Sequence, residues 1–168
     1  LADIMVWAAR NYNEKVDFGV YNMGGIRAAL SKGKITFGDV LDIAPFENKI
    51  CFVTLTGEKV MELFSQMAHT GGEAVSHGVE LVFTRDNKLK SARLHGKEID
   101  PQATYRITTL DYLAQGNDKM DAFKSSTNVV SPQESSNNTR FIIMNYFKEQ
   151  TAQGKIVNAH KEGRIRIE

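Results

Sequence analysis

Three short segments punctuate this 168-residue chain, and each lies against a strand-like run. Asp17-Phe18-Gly19-Val20-Tyr21 runs into Asn22-Met23-Gly24-Gly25-Ile26-Arg27. Pro45-Phe46-Glu47-Asn48 opens onto Lys49 to Leu55. Tyr105 to Leu110 enters Asp111-Tyr112-Leu113-Ala114-Gln115-Gly116-Asn117-Asp118. Apolar and β-branched runs bounded by Gly, Pro and Asn read as strands with irregular backbone at their ends. The chain is therefore asked to build a sheet whose strand ends carry the unusual residues.

Between these runs the apolar spacing turns helical. Leu1, Ile4, Met5 and Ala8 predict an amphipathic helix ending near Asn11 to Asn13, and Phe37 to Ile43 a short helical turn. After Thr56-Gly57, the stripe Val60, Leu63, Phe64 and Met67 marks a helix whose apolar face is core. Val79 to Thr84 and Lys88 to Leu94 form a predicted hairpin around Asp86-Asn87. Ser125 to Asn138, rich in Ser, Asn and Gln, reads as a surface loop. A helix follows, capped at Asn137 or Asn138, with Phe141, Ile142, Tyr146 and Phe147 on its buried face. Gly163 to Ile167 alternates as a final strand. No repeat and no interior linker divides the chain, so residues 1–168 are expected to form one domain. Helices interspersed with antiparallel hairpins give α+β with mixed β-sheets.

Charge excludes one class of partner. Lys and Arg number 21 against 20 Asp and Glu, with no basic run, whereas a nucleic acid polymer calls for a basic face that displaces counterions. A small anionic ligand needs only one or two placed cations. No apolar stretch approaches the ~20 residues of a membrane span. The lone Cys51, within Ile50-Cys51-Phe52-Val53, is expected to be a small buried hydrophobe. Leu1 begins inside a helical pattern without an initiator methionine, so sequence upstream of it is expected, and targeting information with it.

The three segments carry side chains suited to different parts of a nucleotide. In the first, the glycine pair is expected to take positive φ and let the backbone approach a ligand, while Asn22 offers an amide and Arg27 a planar fork for phosphate or ribose oxygens. Taken alone, this is equally a strand-to-helix turn with a solvated Arg. In the second, Pro45 stiffens the turn that presents Phe46, and Asn48 reaches the same face. In the third, Tyr112 is a second aromatic and Asp118 an acceptor for two hydroxyls. His77, in Val75-Ser76-His77-Gly78-Val79, is a weaker candidate contact. Asn137-Asn138-Thr139 fits a glycosylation pattern too common to carry a function.

In order and internal spacing these segments resemble the C-terminal, substrate-binding domain of the 5'-nucleotidase family: Asn-x-Gly-Gly-Ile-Arg, then Pro-Phe-x-Asn, then an aromatic followed by Gly-Gly-Asp-Gly. The resemblance implies a base stacked between Phe46 and Tyr112, a hydrogen bond from Asn48, ribose held by Asp118, and Asn22, Gly24, Gly25 and Arg27 around the sugar and phosphate. Stacking tolerates different bases. Four residues depart from that pattern. Met23 replaces a small residue, Asn117 and Lys119 replace glycines, and Tyr112 stands where Phe is usual.

The family's metal chemistry belongs to a separate metallophosphoesterase domain, where a divalent metal pair activates water against the phosphate. This chain contains no Asp-x-His, no Gly-Asn-His-Asp/Glu and no Gly-His-x-His. It is accordingly expected to hold no cofactor and no catalytic residue of its own. The resemblance implies nucleotide recognition in nucleotide catabolism, with a metallophosphoesterase domain or chain as partner, in the periplasm or outside the cell. A non-catalytic nucleotide- or nucleoside-binding module for scavenging, and a structural domain with a decayed pocket, are the alternatives.

Overall fold

The computed structural model describes residues 1–168. The elements, in chain order, are α1 (Ala2–Ala8), β1 (Phe18–Tyr21), α2 (Phe37–Ile43), β2 (Ile50–Thr56), α3 (Gly57–Thr70), β3 (Ala74–Val75), β4 (Val79–Phe83), β5 (Leu89–Leu94), β6 (Lys97–Glu98), β7 (Thr104–Leu110), α4 (Asp111–Ala114), β8 (Thr127–Val130), α5 (Thr139–Ala152) and β9 (Ile165–Ile167). The strands form a five-stranded sheet in the order β3-β1-β7-β2-β8 and a four-stranded sheet in the order β6-β5-β4-β9. Both sheets are mixed: β1 runs parallel to β7, and β9 parallel to β4, while the other pairings are antiparallel. This is the α+β class expected from the sequence.

The central strands of the larger sheet are buried on both faces, which is why β2 opens on an unbroken apolar run, Ile50 to Val53. Its side chains alternate sides with the two-residue period of a strand. Ile50 and Phe52 join a cluster with α1, α2 and α5, whereas Cys51, Val53 and Leu55 join a second cluster with α3 and the smaller sheet. In α3, Val60, Leu63, Phe64 and Met67 are all fully buried. Phe64 lies 5.5 Å from Phe18, ring centre to ring centre, so Phe64→Ala would remove a central packing contact at ~3–5 kcal/mol. The helix starts where the Thr56 hydroxyl accepts the Lys59 N–H and stops at Gly71, whose φ is 93°. Cys51 is free and buried, and burial pushes its thiol pKa up, which fits an inert packing residue.

Register decides where the three segments meet. Gly19 pairs with Thr108 in the parallel β1–β7 ladder, so the last residues of the two strands, Tyr21 and Leu110, finish level. In the antiparallel β2–β7 ladder Ile50 pairs with Leu110, which brings the start of β2 to the same end. The exit of β1, the entry of β2 and the exit of β7 therefore share one end of the sheet, and each carries one segment.

Three sequence expectations need correction. The stretch from Ser125 to Asn138 is not wholly a loop: Thr127–Val130 pairs with β2 as the sheet's edge strand, and Ser135–Asn137 is a 3-10 turn. Its polar composition misled because an edge strand with every residue exposed lacks an apolar face. On α5 the buried pair is Ile142 and Ile143, while Phe141 is only partly covered and belongs to neither core cluster. Asn138 occupies the N-cap position, but its side chain makes no capping bond. A backbone bond to the segment just before β2 ties that end instead, the Thr139 N–H donating to the Asn48 carbonyl at 2.9 Å.

Candidate functional site

At the shared sheet end, Asn22, Gly24, Phe46, Asn48, Tyr112 and Asp118 line one cavity of about 210 Å³. These are six of the eight residues singled out in the sequence. Phe46 and Tyr112 stand at 48% and 36% exposure, so part of each ring is open to solvent at the cavity. Gly25 is buried behind the lining, and Arg27 lies outside it, exposed, with Nη1 donating to the Gly24 carbonyl at 3.3 Å.

Of the glycine pair, Gly25 works by space rather than by torsion. Neither Gly24 nor Gly25 has a positive φ, contrary to expectation, because Met23–Gly25 closes a 3-10 turn. A Cβ on Gly25 would come within 2.5 Å of Asn22 Oδ1. The bare backbone thus makes room for the Asn22 amide, which is 5% exposed and points its Nδ2 at Asp118 Oδ2, 3.1 Å away. Asn22 Oδ1 is buried without a hydrogen-bond partner.

The Asp118 loop is held from several sides. Tyr112 Oη donates to Asp118 Oδ1 at 2.8 Å, and Asn117 Nδ2 donates to the Tyr112 carbonyl at 2.8 Å. Gly116, Asp118 and Lys119 all have positive φ, at 86°, 55° and 63°, whereas Asn117 does not, so of the two residues that replace glycines only Lys119 sits in the left-handed region. Fully buried Met120 anchors its far end.

Asp111 joins the two aromatic-bearing loops. Its Oδ1 accepts the Lys49 N–H at 3.1 Å and the Tyr112 N–H at 2.8 Å, while its own N–H donates to the Lys49 carbonyl at 2.9 Å. Arg140, from the first turn of α5, adds a bond from Nη2 to the Pro45 carbonyl at 2.9 Å. The loop carrying Phe46 is thereby tied to the loop carrying Tyr112 and to α5.

Glu73 was not singled out in the sequence. Tyr21 pairs with Ala74 across β1 and β3, so the next residue pair sets Glu73 opposite Asn22. Its carboxylate accepts the Met23 N–H at 2.5 Å, and it is 6% exposed. Burial pushes its pKa up, the Met23 hydrogen bond opposes this, and the charge of Asp118 adds to the rise. Tyr112 is also raised, first by its bond to Asp118 and in smaller part by the charges of Asp118 and Glu73. The available sequence signal was a single acid between Gly71-Gly72 and the apolar Ala74-Val75.

The remaining candidates lie elsewhere. The His77 ring is bonded to Glu162 at 2.9 Å, and its backbone N–H to Asp3; it does not line the cavity. Asn137 is 7% exposed and engaged by Tyr12 and Glu134, which makes the glycosylation pattern a buried one. No three His, Cys, Asp or Glu side chains converge to hold a metal ion. The metal pair implied by the resemblance belongs to a separate metallophosphoesterase domain, and the residues gathered at this cavity offer no ligand set for one. No helix is long and apolar enough to cross a membrane.

Comparison with known proteins adds a family match. The sequence model of the 5'-nucleotidase C-terminal domain matches residues 1–125. Protein UshA of Salmonella pullorum is 28% identical over 159 residues, covering 92% of this chain and 28% of that protein. A cell wall protein of Listeria monocytogenes is 30% identical over 179 residues, covering 98% of this chain and 22% of its own length. The crystal structure of a 5'-nucleotidase precursor from Thermus thermophilus superposes with a TM-score of 0.83 at 26% identity, over 99% of this chain and 34% of that one. The chain thus spans between 22% and 34% of the proteins it matches here.

Proposed function

The chain belongs to the 5'-nucleotidase family as its C-terminal domain, and from that premise we propose that it grips the nucleoside part of a nucleotide whose phosphate is hydrolysed by a metallophosphoesterase domain or chain. The observation that carries this reading is the convergence of Asn22, Phe46, Asn48, Tyr112 and Asp118, from three distant segments, on one cavity. Half-exposed aromatics at a cavity mouth suit a flat base, Asn48 its polar edge, and Asp118 the sugar hydroxyls.

Two further features favour a shared site. At about 210 Å³ the cavity is smaller than the ~300–1,000 Å³ of a complete ligand pocket, as one wall of a larger site would be. Its charged groups, Asp118 with Glu73 behind it, repel a phosphate, which is better accommodated at the rim towards Arg27 and the partner. Activity outside the cytoplasm is part of the proposal, and the cell wall relative supports it.

Calorimetry tests the reading. The wild-type chain is expected to bind adenosine, with Phe46→Ala and Tyr112→Ala each weakening it by ~1–3 kcal/mol. A wild-type chain that binds no nucleoside, or wild-type affinity in both variants, would overturn it.

A further inference from the structure

Stacking a base requires only an aromatic face, which Phe supplies as well as Tyr. The hydroxyl of Tyr112 is therefore surplus to that task, yet it is bonded to Asp118 Oδ1 at 2.8 Å. The other carboxylate oxygen is held equally specifically, by the Asn22 amide at 3.1 Å. Asp118 sits at φ 55° in a loop where Lys119 is also left-handed, and its charge reaches the buried Glu73 carboxylate behind the cavity. A carboxylate on such a loop, beside a like charge, has reason to rotate away unless donors fix it. Tyr112 and Asn22 are those donors, one on each oxygen.

An ionised carboxylate offers about four lone-pair positions, two per oxygen. With one position on each oxygen taken by the protein, one on each remains. Two acceptor positions side by side match two hydroxyls on adjacent carbons, such as the 2' and 3' hydroxyls of ribose.

We propose that the Tyr112 hydroxyl is a positioning group for sugar recognition, fixing Asp118 so that its free lone pairs accept a vicinal diol and the site prefers ribonucleosides to their deoxy counterparts. The inference rests on the nucleoside reading above. A tyrosine hydroxyl is protonated at neutral pH, and the bond to Asp118 raises its pKa further, so the donor persists over the working range. A deoxy sugar leaves a desolvated acceptor unpaired, and that penalty depends on Asp118 being held in place.

The test compares adenosine with 2',3'-dideoxyadenosine by calorimetry in wild type, Tyr112→Phe, Asp118→Ala and the double variant, with thermal unfolding as a check on folding. Wild type is expected to favour adenosine. Tyr112→Phe should weaken adenosine roughly 3- to 10-fold while leaving dideoxyadenosine within about twofold, so that the ratio of the two affinities falls by the same factor. In the Asp118→Ala background the Tyr112→Phe change should alter neither affinity. An unchanged ratio in Tyr112→Phe, a ratio that rises, or equal loss of both ligands would overturn the positioning role and leave the nucleoside reading standing. A wild-type chain that binds neither ligand would overturn both.

Discussion

Asp111→Ala is the perturbation that tests whether the two aromatic loops are held as one unit. The side chain's Oδ1 accepts two backbone N–H groups, from Lys49 and Tyr112, and Asp111, Lys49 and Tyr112 are none of them fully buried. Hydrogen bonds to a charged acceptor contribute ~1.5–3 kcal/mol each when nothing replaces them. Water can reach these donors, which brings the expected loss to ~1 kcal/mol per bond, or ~2 kcal/mol in total. The ladder bond from the Asp111 N–H to the Lys49 carbonyl survives, so β2 and β7 should remain paired. Urea unfolding should then show a free energy lowered by that amount, through a lower midpoint at an unchanged slope, because the surface exposed on unfolding is the same. Asp111→Asn keeps an oxygen at the same place and should recover at least half the loss. Adenosine affinity should fall in Asp111→Ala and recover in step with stability in Asp111→Asn. A loss below ~0.5 kcal/mol, or lost stability with adenosine affinity untouched, would refute the claim that this carboxylate sets the relation of Phe46 to Tyr112.

Three other outcomes follow from the same geometry. Gly25→Ala places a Cβ 2.5 Å from Asn22 Oδ1, which displaces the amide from Asp118; adenosine affinity should drop roughly 5- to 10-fold with stability changed by less than ~1 kcal/mol, and unchanged binding in calorimetry would count against it. Glu73 has a folded pKa raised above the ordinary 4.5, so the native state holds its proton more tightly and the wild type loses stability as pH rises through that interval. Glu73→Gln, which retains an acceptor for the Met23 N–H, should therefore be more stable than wild type at neutral pH, with the difference vanishing as pH falls below about 4; lower stability at neutral pH in denaturant titrations would contradict this. Arg27→Ala should abolish any preference for AMP over adenosine, at ~1.5–3 kcal/mol, and parallel weakening of both ligands would show that Arg27 braces the turn through Gly24 instead.

Local pattern was enough for most elements and for naming the residues that meet at the cavity. Thr36, whose hydroxyl and backbone form a capping box with Asp39, starts α2 where the spacing had placed it, and the stripe of α3 is all core, because both depend on neighbours within a turn or two of chain. The paired glycines, the Pro-Phe turn and the aromatic-to-Asp118 spacing were visible for the same reason: each is a contiguous device. Long-range pairing was not. That β8 forms at all depends on β2 offering a free edge, and nothing within Thr127-Asn128-Val129-Val130 announces that edge. Glu73 gains its place only because β3 folds back on β1 and sets it opposite Asn22, across about fifty residues of chain. The Gly25 and Tyr112 roles likewise appear only when the Asn22 amide and the Asp118 carboxylate are brought together, 96 positions apart. Sequence fixes what each segment can do within reach of its own backbone; register in the sheet decides which segments meet, since one residue of slip would turn every side chain to the opposite face.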